Sequence, residues 1–183
     1  MTPLPPETAE ARPPKKPNWA LWALAAVFFC FCVGIMVVGA ILFPSFRRYR
    51  ETMAGNMCMR RIGESSRAMA MYAVDSDDSL PPATAWMDKL QPFVRSGRAF
   101  RCPAVRMQGF NAYGYAMNVA LSSNKRSAVA DPSAKPLLFD STLLTKNAAS
   151  GIETLPQSGR HNGGNNVAYA DGHMSRFAAG TKP

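Results

Sequence analysis

The chain has 183 residues, 21 Lys and Arg against 12 Asp and Glu, a formal net charge of +9, and four cysteines. That length allows one domain with a real core beside a small appendage, and not comfortably two. The positive excess admits an anionic surface or polymer as a partner without naming one, and two domain cysteines with no CxxC spacing and only two His do not make a zinc site.

Residues 1–17 are rich in Pro, with two Glu, one Arg and two Lys and almost nothing large and apolar. Such a segment buries too little to order itself, so a disordered tail is expected. Residues 18–43 follow as a transmembrane helix. Trp19 to Phe43 is 25 residues without a charge, and about 20 residues of helix cross a hydrocarbon core of about 30 Å. The run is too long for a signal-peptide core and is followed by no small-x-small cleavage site, so an uncleaved anchor is expected. Trp19 and Trp22 stand at one end, where an interfacial aromatic belt lies. Positive charges do not orient the anchor. Arg12, Lys15 and Lys16 precede it, Arg47, Arg48, Arg50, Arg60 and Arg61 follow it, and long domains translocate largely regardless of charge.

Residues 44–183 form the domain, with 18 Lys and Arg against 10 Asp and Glu from Ser45 onward, a net +8. Ser45 to Val74 reads as an amphipathic helix with Phe46, Tyr49, Met53, Met57, Cys58, Ile62, Met69 and Tyr72 on one side. Arg48, Glu51, Arg60, Glu64 and Arg67 occupy the other. Pro44 at the join is expected to kink a continuous helix rather than end it. Asp75, Asp77 and Asp78, then Pro81-Pro82, terminate it. A short helix from Ala83 to Val94 carries Trp86, Leu90 and Phe93 on one side. Short extended pieces are expected at Phe100–Pro103, Tyr113–Asn118 and Leu137–Asp140. A hairpin is expected from Asn166–Ala170 and His173–Phe177 around Asp171-Gly172, a turn pair tolerant of positive φ. Helices first and strands later give an α+β fold with an antiparallel sheet.

Three groups of residues could carry chemistry. His161, Asp171 and His173 offer two imidazoles and a carboxylate near one turn, but the favoured reading is that Asp171 and Gly172 build the turn and His161 bonds backbone near the hairpin. Asp75, Asp77 and Asp78 are weak candidates for Ca²⁺, lacking the glycine and distal Glu of an EF-hand. Cys58 and Cys102 are the domain's two cysteines, a number compatible with one disulfide outside the cytoplasm. Cys30 and Cys32 fall inside the span as small apolar fillers or acylation candidates. Phe46-Arg47-Arg48-Tyr49-Arg50 has the composition of a nucleic-acid patch, but its place beside the anchor favours interfacial snorkelling. No phosphate loop, nucleophile elbow or HExxH motif occurs.

In order along the chain stand Phe43-Pro44-Ser45-Phe46-Arg47-Arg48-Tyr49-Arg50-Glu51, Cys58 to Gly63, Met71-Tyr72-Ala73-Val74-Asp75 and Leu80-Pro81. Trp86, Leu90, Phe100-Arg101-Cys102-Pro103 and Tyr113 to Asn118 come next, then His161, nine residues, and Asp171-Gly172. This succession resembles the bacterial type II secretion pseudopilin-like proteins that carry the prepilin-type processing-associated H-X9-DG domain. The resemblance runs from Phe43 to Phe177. It implies a type IV pilin-like fold, a long N-terminal helix packed on an antiparallel β-sheet, and a single-pass protein of the bacterial cytoplasmic membrane, N-terminus inside and domain extracytoplasmic. It implies a disulfide between Cys58 and Cys102, partners among other pilin-like or secretion-system subunits, and no enzymatic activity, cofactor or small-molecule substrate. Lys16-Pro17-Asn18-Trp19-Ala20-Leu21 departs from the family's junction, with no Gly before the apolar run and no Glu in its first turn. An anchor retained whole, without prepilin processing, is therefore expected. A cell-surface module binding an acidic polymer or DNA through the +8 domain is the alternative.

Overall fold

The computed structural model describes residues 18–109, 111–181 and 183. The tail expected at 1–17 lies outside them. The chain divides into two compact units, one up to Pro44 and one from Ser45 to Pro183.

Helix α1 runs Trp19–Asp75 and contains Pro44. Pro44 therefore interrupts one backbone hydrogen bond without ending the helix. From Asn18 to Phe43 every residue but the half-buried Cys32 is exposed. At about 1.5 Å per residue, Trp19 to Phe43 measures about 37 Å, long and apolar enough to cross a membrane.

In the globular unit, α1 buries Cys58, Ile62, Ala68, Met69 and Ala73. Phe46, Tyr49, Met53 and Met57, expected on the same packed face, stay exposed. The buried positions begin at Gly55, because only from there does α1 lie against the strands. Gly55 and Gly63 permit that approach. A Cβ on Gly55 would stand 3.1 Å from the His161 Cβ, and one on Gly63 would stand 2.5 Å from the Met174 sulfur.

Helix α2, Trp86–Leu90, is shorter than the expected Ala83–Val94 and tightens into a 3-10 turn at Gln91–Phe93. Gln91 N–H already bonds the Asp88 carbonyl three residues back, and Pro92 has no N–H with which to continue an α-helix. The extended piece expected at Phe100–Pro103 is instead a link between two 3-10 turns, Gly97–Phe100 and Pro103–Gln108.

Five strands follow: β1 Tyr115–Asn118, β2 Pro136–Asp140, β3 Ala149–Ser150, β4 Gly164–Tyr169 and β5 Met174–Ala178. Their order is β3-β1-β2-β4-β5. The sheet is mixed, which corrects the all-antiparallel expectation: β1–β2, β2–β4 and β4–β5 are antiparallel, while β3 runs parallel to β1. A chain leaving β2 reverses once more before reaching the free edge of β1, so it arrives in the direction of β1. The two residues of β3 are too few to show a period-2 pattern.

Both faces of the sheet are covered. Tyr115, Met117, Leu138 and Ala168 point into the core shared with α1 and α2, while Ala116, Phe139, Val167 and Tyr169 point into a second core with Ala148 and Leu155. The alternation of strand side chains thus serves two apolar layers, and all of β4 is buried. Trp86 anchors the helical side, with its indole N–H donating to the Ala148 carbonyl at 2.9 Å and its ring edge-on to Phe100.

Candidate functional site

Between α1 and the sheet, side chains from four parts of the chain converge in the interior. Cys58 comes from α1, Cys102 from the link between the two 3-10 turns, Asp140 from the end of β2, and Arg160 with His161 from the approach to β4. Cys58 and Cys102 are joined in a disulfide with their Cα atoms 5.2 Å apart, within the usual bridging range. The Tyr115 hydroxyl donates to the Cys58 carbonyl at 3.3 Å. Burial, and then the charge of Asp140, push the Tyr115 phenol well above its usual range.

His161 owes its position to a tight turn. Asn162 and Gly163 have φ of 50° and 73°, the signs of a type I′ turn, in which Asn-Gly is favoured. His161 N–H donates to the Gly164 carbonyl at 2.8 Å, and Gly164 N–H donates back at 3.1 Å. The imidazole is thereby delivered inward. Its Nε2 lies 3.3 Å from Asp140 Oδ2 and 3.6 Å from Cys102 Sγ.

Asp140 is fully buried. Its Oδ2 also accepts from Asn166 N–H at 2.7 Å, and its Oδ1, which accepts no hydrogen bond, lies 3.6 Å from Arg160 Nη1. Arg160 donates through Nη1 to the Gly114 carbonyl and through Nη2 to the Ser141 carbonyl. Burial lowers the guanidinium's hold on its proton, and the Asp140 carboxylate opposes that. The result is a buried charge pair with imidazole and disulfide against it, fastening the ends of β2 and β4 to α1. Asp140 and Arg160 were not singled out as site residues by sequence reasoning. Asp140 ends an apolar run and Arg160 precedes a glycine-rich loop, so neither shows periodicity. The Asn162-Gly163 pair is the one signal pointing to the turn that places His161.

The candidate trio of His161, Asp171 and His173 does not converge. His161 precedes β4 and the other two follow it, about 20 Å apart along six residues of strand. Asp171 and Gly172 build the β4–β5 turn. Gly172 has φ of 100°, and Asp171 Oδ1 accepts from His173 N–H at 3.0 Å and meets His173 Nδ1 at 2.7 Å. These contacts, the backbone one first, hold the Asp171 carboxyl below its ordinary range. The His173 ring stacks on Tyr169 with centroids 4.2 Å apart. Within the H-X9-DG spacing, then, His161 marks one end of β4 and Asp171-Gly172 the other.

The Ca²⁺ candidates also separate. Asp75 ends α1, Asp77 pairs with Lys125, and Asp78 Oδ2 accepts from Ser127 N–H and Oγ at 2.9 and 2.5 Å. Asp77 and Asp78 have positive φ, and Asp78 N–H caps the helix by donating to the Ala73 carbonyl at 2.8 Å. Among the described residues, the one group of at least three His, Cys, Asp or Glu donors close enough for a metal is Cys58, Cys102 and His161, all within 4.8 Å of one another.

Beside the disulfide opens a cavity of about 420 Å³ lined by Cys102, Arg61, Arg98 and Arg101 among others. Arg61 donates to the Arg101 carbonyl at 2.7 Å, and the Arg101 guanidinium lies 4.6 Å over the Tyr113 ring. No family model, curated protein or solved structure matches the chain, so the α+β arrangement and the membrane-length helix rest on its own sequence and geometry.

Proposed function

We propose that this chain is a membrane-anchored, non-enzymatic pseudopilin-like subunit with a structural or assembly role in a type II secretion or type IV pilus-like system. Its place is the bacterial cytoplasmic membrane, N-terminus inside and domain extracytoplasmic. The observation that carries the reading is α1, Trp19–Asp75, whose first half is apolar and exposed while its second half is the core helix of a small α+β domain. A single helix serving as both anchor and core is what a subunit needs if its membrane half is to pack against copies or partners. The buried disulfide supports an oxidising compartment outside the cytoplasm. The buried Asp140–His161 pair supports a structural role for the H-X9-DG histidine.

Photocrosslinkers placed at Phe28 and Phe46 in native membranes test this, together with protease access to the domain in spheroplasts. Crosslinks to other membrane-anchored pilin-like subunits and cleavage from the outer side are expected. Protection of the domain in intact spheroplasts, or crosslinks to lipid alone, would sink the proposal.

A second reading, a surface module for an acidic polymer or DNA, is favoured by the cavity with Arg61, Arg98 and Arg101 on its wall. Salt-sensitive retention on DNA, abolished by Arg61→Ser, is its signature, since phosphate contacts weaken steeply with salt.

A further inference from the structure

We propose that when the Cys58–Cys102 disulfide is reduced, the two thiolates, His161 and Asp140 form a buried four-ligand site for Zn²⁺. The disulfide and the metal would then be alternative cross-links at one point.

The geometry carries the argument. Zinc in closed protein sites is tetrahedral, with Zn–S near 2.3 Å and Zn–N or Zn–O near 2.0–2.1 Å. Tetrahedral angles make the ligand-to-ligand edges about 3.6 Å from sulfur to nitrogen and about 3.3 Å from nitrogen to oxygen. Cys102 Sγ stands 3.6 Å from His161 Nε2, and His161 Nε2 stands 3.3 Å from Asp140 Oδ2. Cys58 Sγ, Cys102 Sγ and an imidazole nitrogen of His161 lie within 4.8 Å of one another, and Asp140 reaches this group through His161. Two adjustments are needed: the sulfurs, bonded in the disulfide, part to about 3.8 Å around a metal, and the Asp140 carboxylate, outside the 4.8 Å group, closes on them.

The charges balance in both states. In the disulfide form the Asp140 carboxylate faces the Arg160 guanidinium. In the metal form a divalent cation, two thiolates, one carboxylate, a neutral imidazole and the same guanidinium again sum to zero, as a buried cluster requires. One outer contact is in place, while His161 Nδ1 is buried without a hydrogen-bond partner. Asn166 N–H bonds Asp140 Oδ2 at 2.7 Å, and outer contacts of this kind orient metal ligands. Asp140 Oδ1 is buried without a hydrogen-bond donor. Cys58 and Cys102 are buried, and Cys102 is on the wall of the 420 Å³ cavity, so that wall is the side from which a reductant and an ion would have to come.

The redox step is thiol–disulfide exchange with a dithiol. Two electrons and two protons pass from the dithiol, which closes to its own disulfide, and Cys58 and Cys102 become thiols. Zn²⁺ then displaces both thiol protons. Sequence spacing hides the site because its ligands, at positions 58, 102, 140 and 161, come from four separate segments.

The test uses the full chain in detergent micelles, reduced with a phosphine, with Zn²⁺ alone and then Co²⁺ alone as probes. The reduced chain is expected to retain a single zinc ion after gel filtration, and the oxidised chain none. Cobalt is expected to give a thiolate charge-transfer band with the visible bands of a tetrahedral ion. Asp140→Asn and His161→Gln should each weaken zinc binding by roughly 10–100-fold. If reduction loosens the domain, zinc should restore its near-ultraviolet circular dichroism. A reduced chain that neither retains zinc nor recovers structure with it overturns the proposal. So does zinc binding that Cys102→Ser, Asp140→Asn and His161→Gln leave unchanged.

Discussion

The most consequential single residue in the domain is Asp140. It is a carboxylate at the end of an apolar strand, sealed between a guanidinium and an imidazole. Removing one member of a buried pair leaves the other uncompensated. Asp140→Ala should therefore destabilise the domain by about 3–5 kcal/mol in chemical denaturation. A loss below about 1 kcal/mol would mean that Arg160 finds solvent instead. Asp78 makes a pH-dependent contribution. Its carboxyl is held below the ordinary value of 3.8 by the Ser127 hydroxyl and then the Ser127 N–H. The folded state thus binds this proton less tightly than the unfolded chain. The stabilisation is fully present above the unfolded value and disappears as pH falls through the lower folded one. Asp78→Asn suits the positive φ and should lower the melting temperature at pH 7. The gap from the native sequence should close as melts are repeated toward pH 2–3.

Among the elements, α1 and the β4–β5 hairpin depend on each other at two glycines whose substitutions should differ in sign. An added methyl at Gly63 meets only the flexible end of Met174. The helix-propensity gain of about 1 kcal/mol then makes Gly63→Ala neutral or stabilising. A methyl at Gly55 meets the His161 Cβ, fixed by the Asn162-Gly163 turn, as well as the Arg176 guanidinium. Gly55→Ala should be destabilising, and Gly55→Val should cost about 1–3 kcal/mol. Denaturant midpoints of the three variants decide it; a Gly55→Val as stable as the native chain would show that the hairpin yields. The elements that were legible in the sequence were those with local causes: α1 from its apolar run and helical spacing, the β4–β5 turn from Asp171-Gly172, the stop after α1 from its acidic residues and prolines. The 3-10 turns around Cys102 and the two-residue β3 have no period to read.

On the scale of the whole molecule, the disulfide closes a span of 44 residues between α1 and the segment before β1. In the chain-entropy account, cross-linking a loop of that size contributes about 4 kcal/mol. Reduction without metal should thus lower the melting temperature by on the order of 10 °C. Intact mass before and after reduction should differ by two hydrogens. An unchanged melt after complete reduction would show that the core holds without the bridge. The sequence alone determined what is additive along the chain: an apolar run long enough for a membrane, a basic domain, a helix-first order of elements and two cysteines available to pair. It could not determine which polar side chains share an interior, because that depends on strand order and on chain reversals between distant segments. Tertiary structure alone brought Asp140 to Arg160 and His161, parted His161 from Asp171 and His173 by the length of β4, and ran β3 parallel to β1. Burial makes those few placements decisive, since a charge removed from water must find its partner inside the fold.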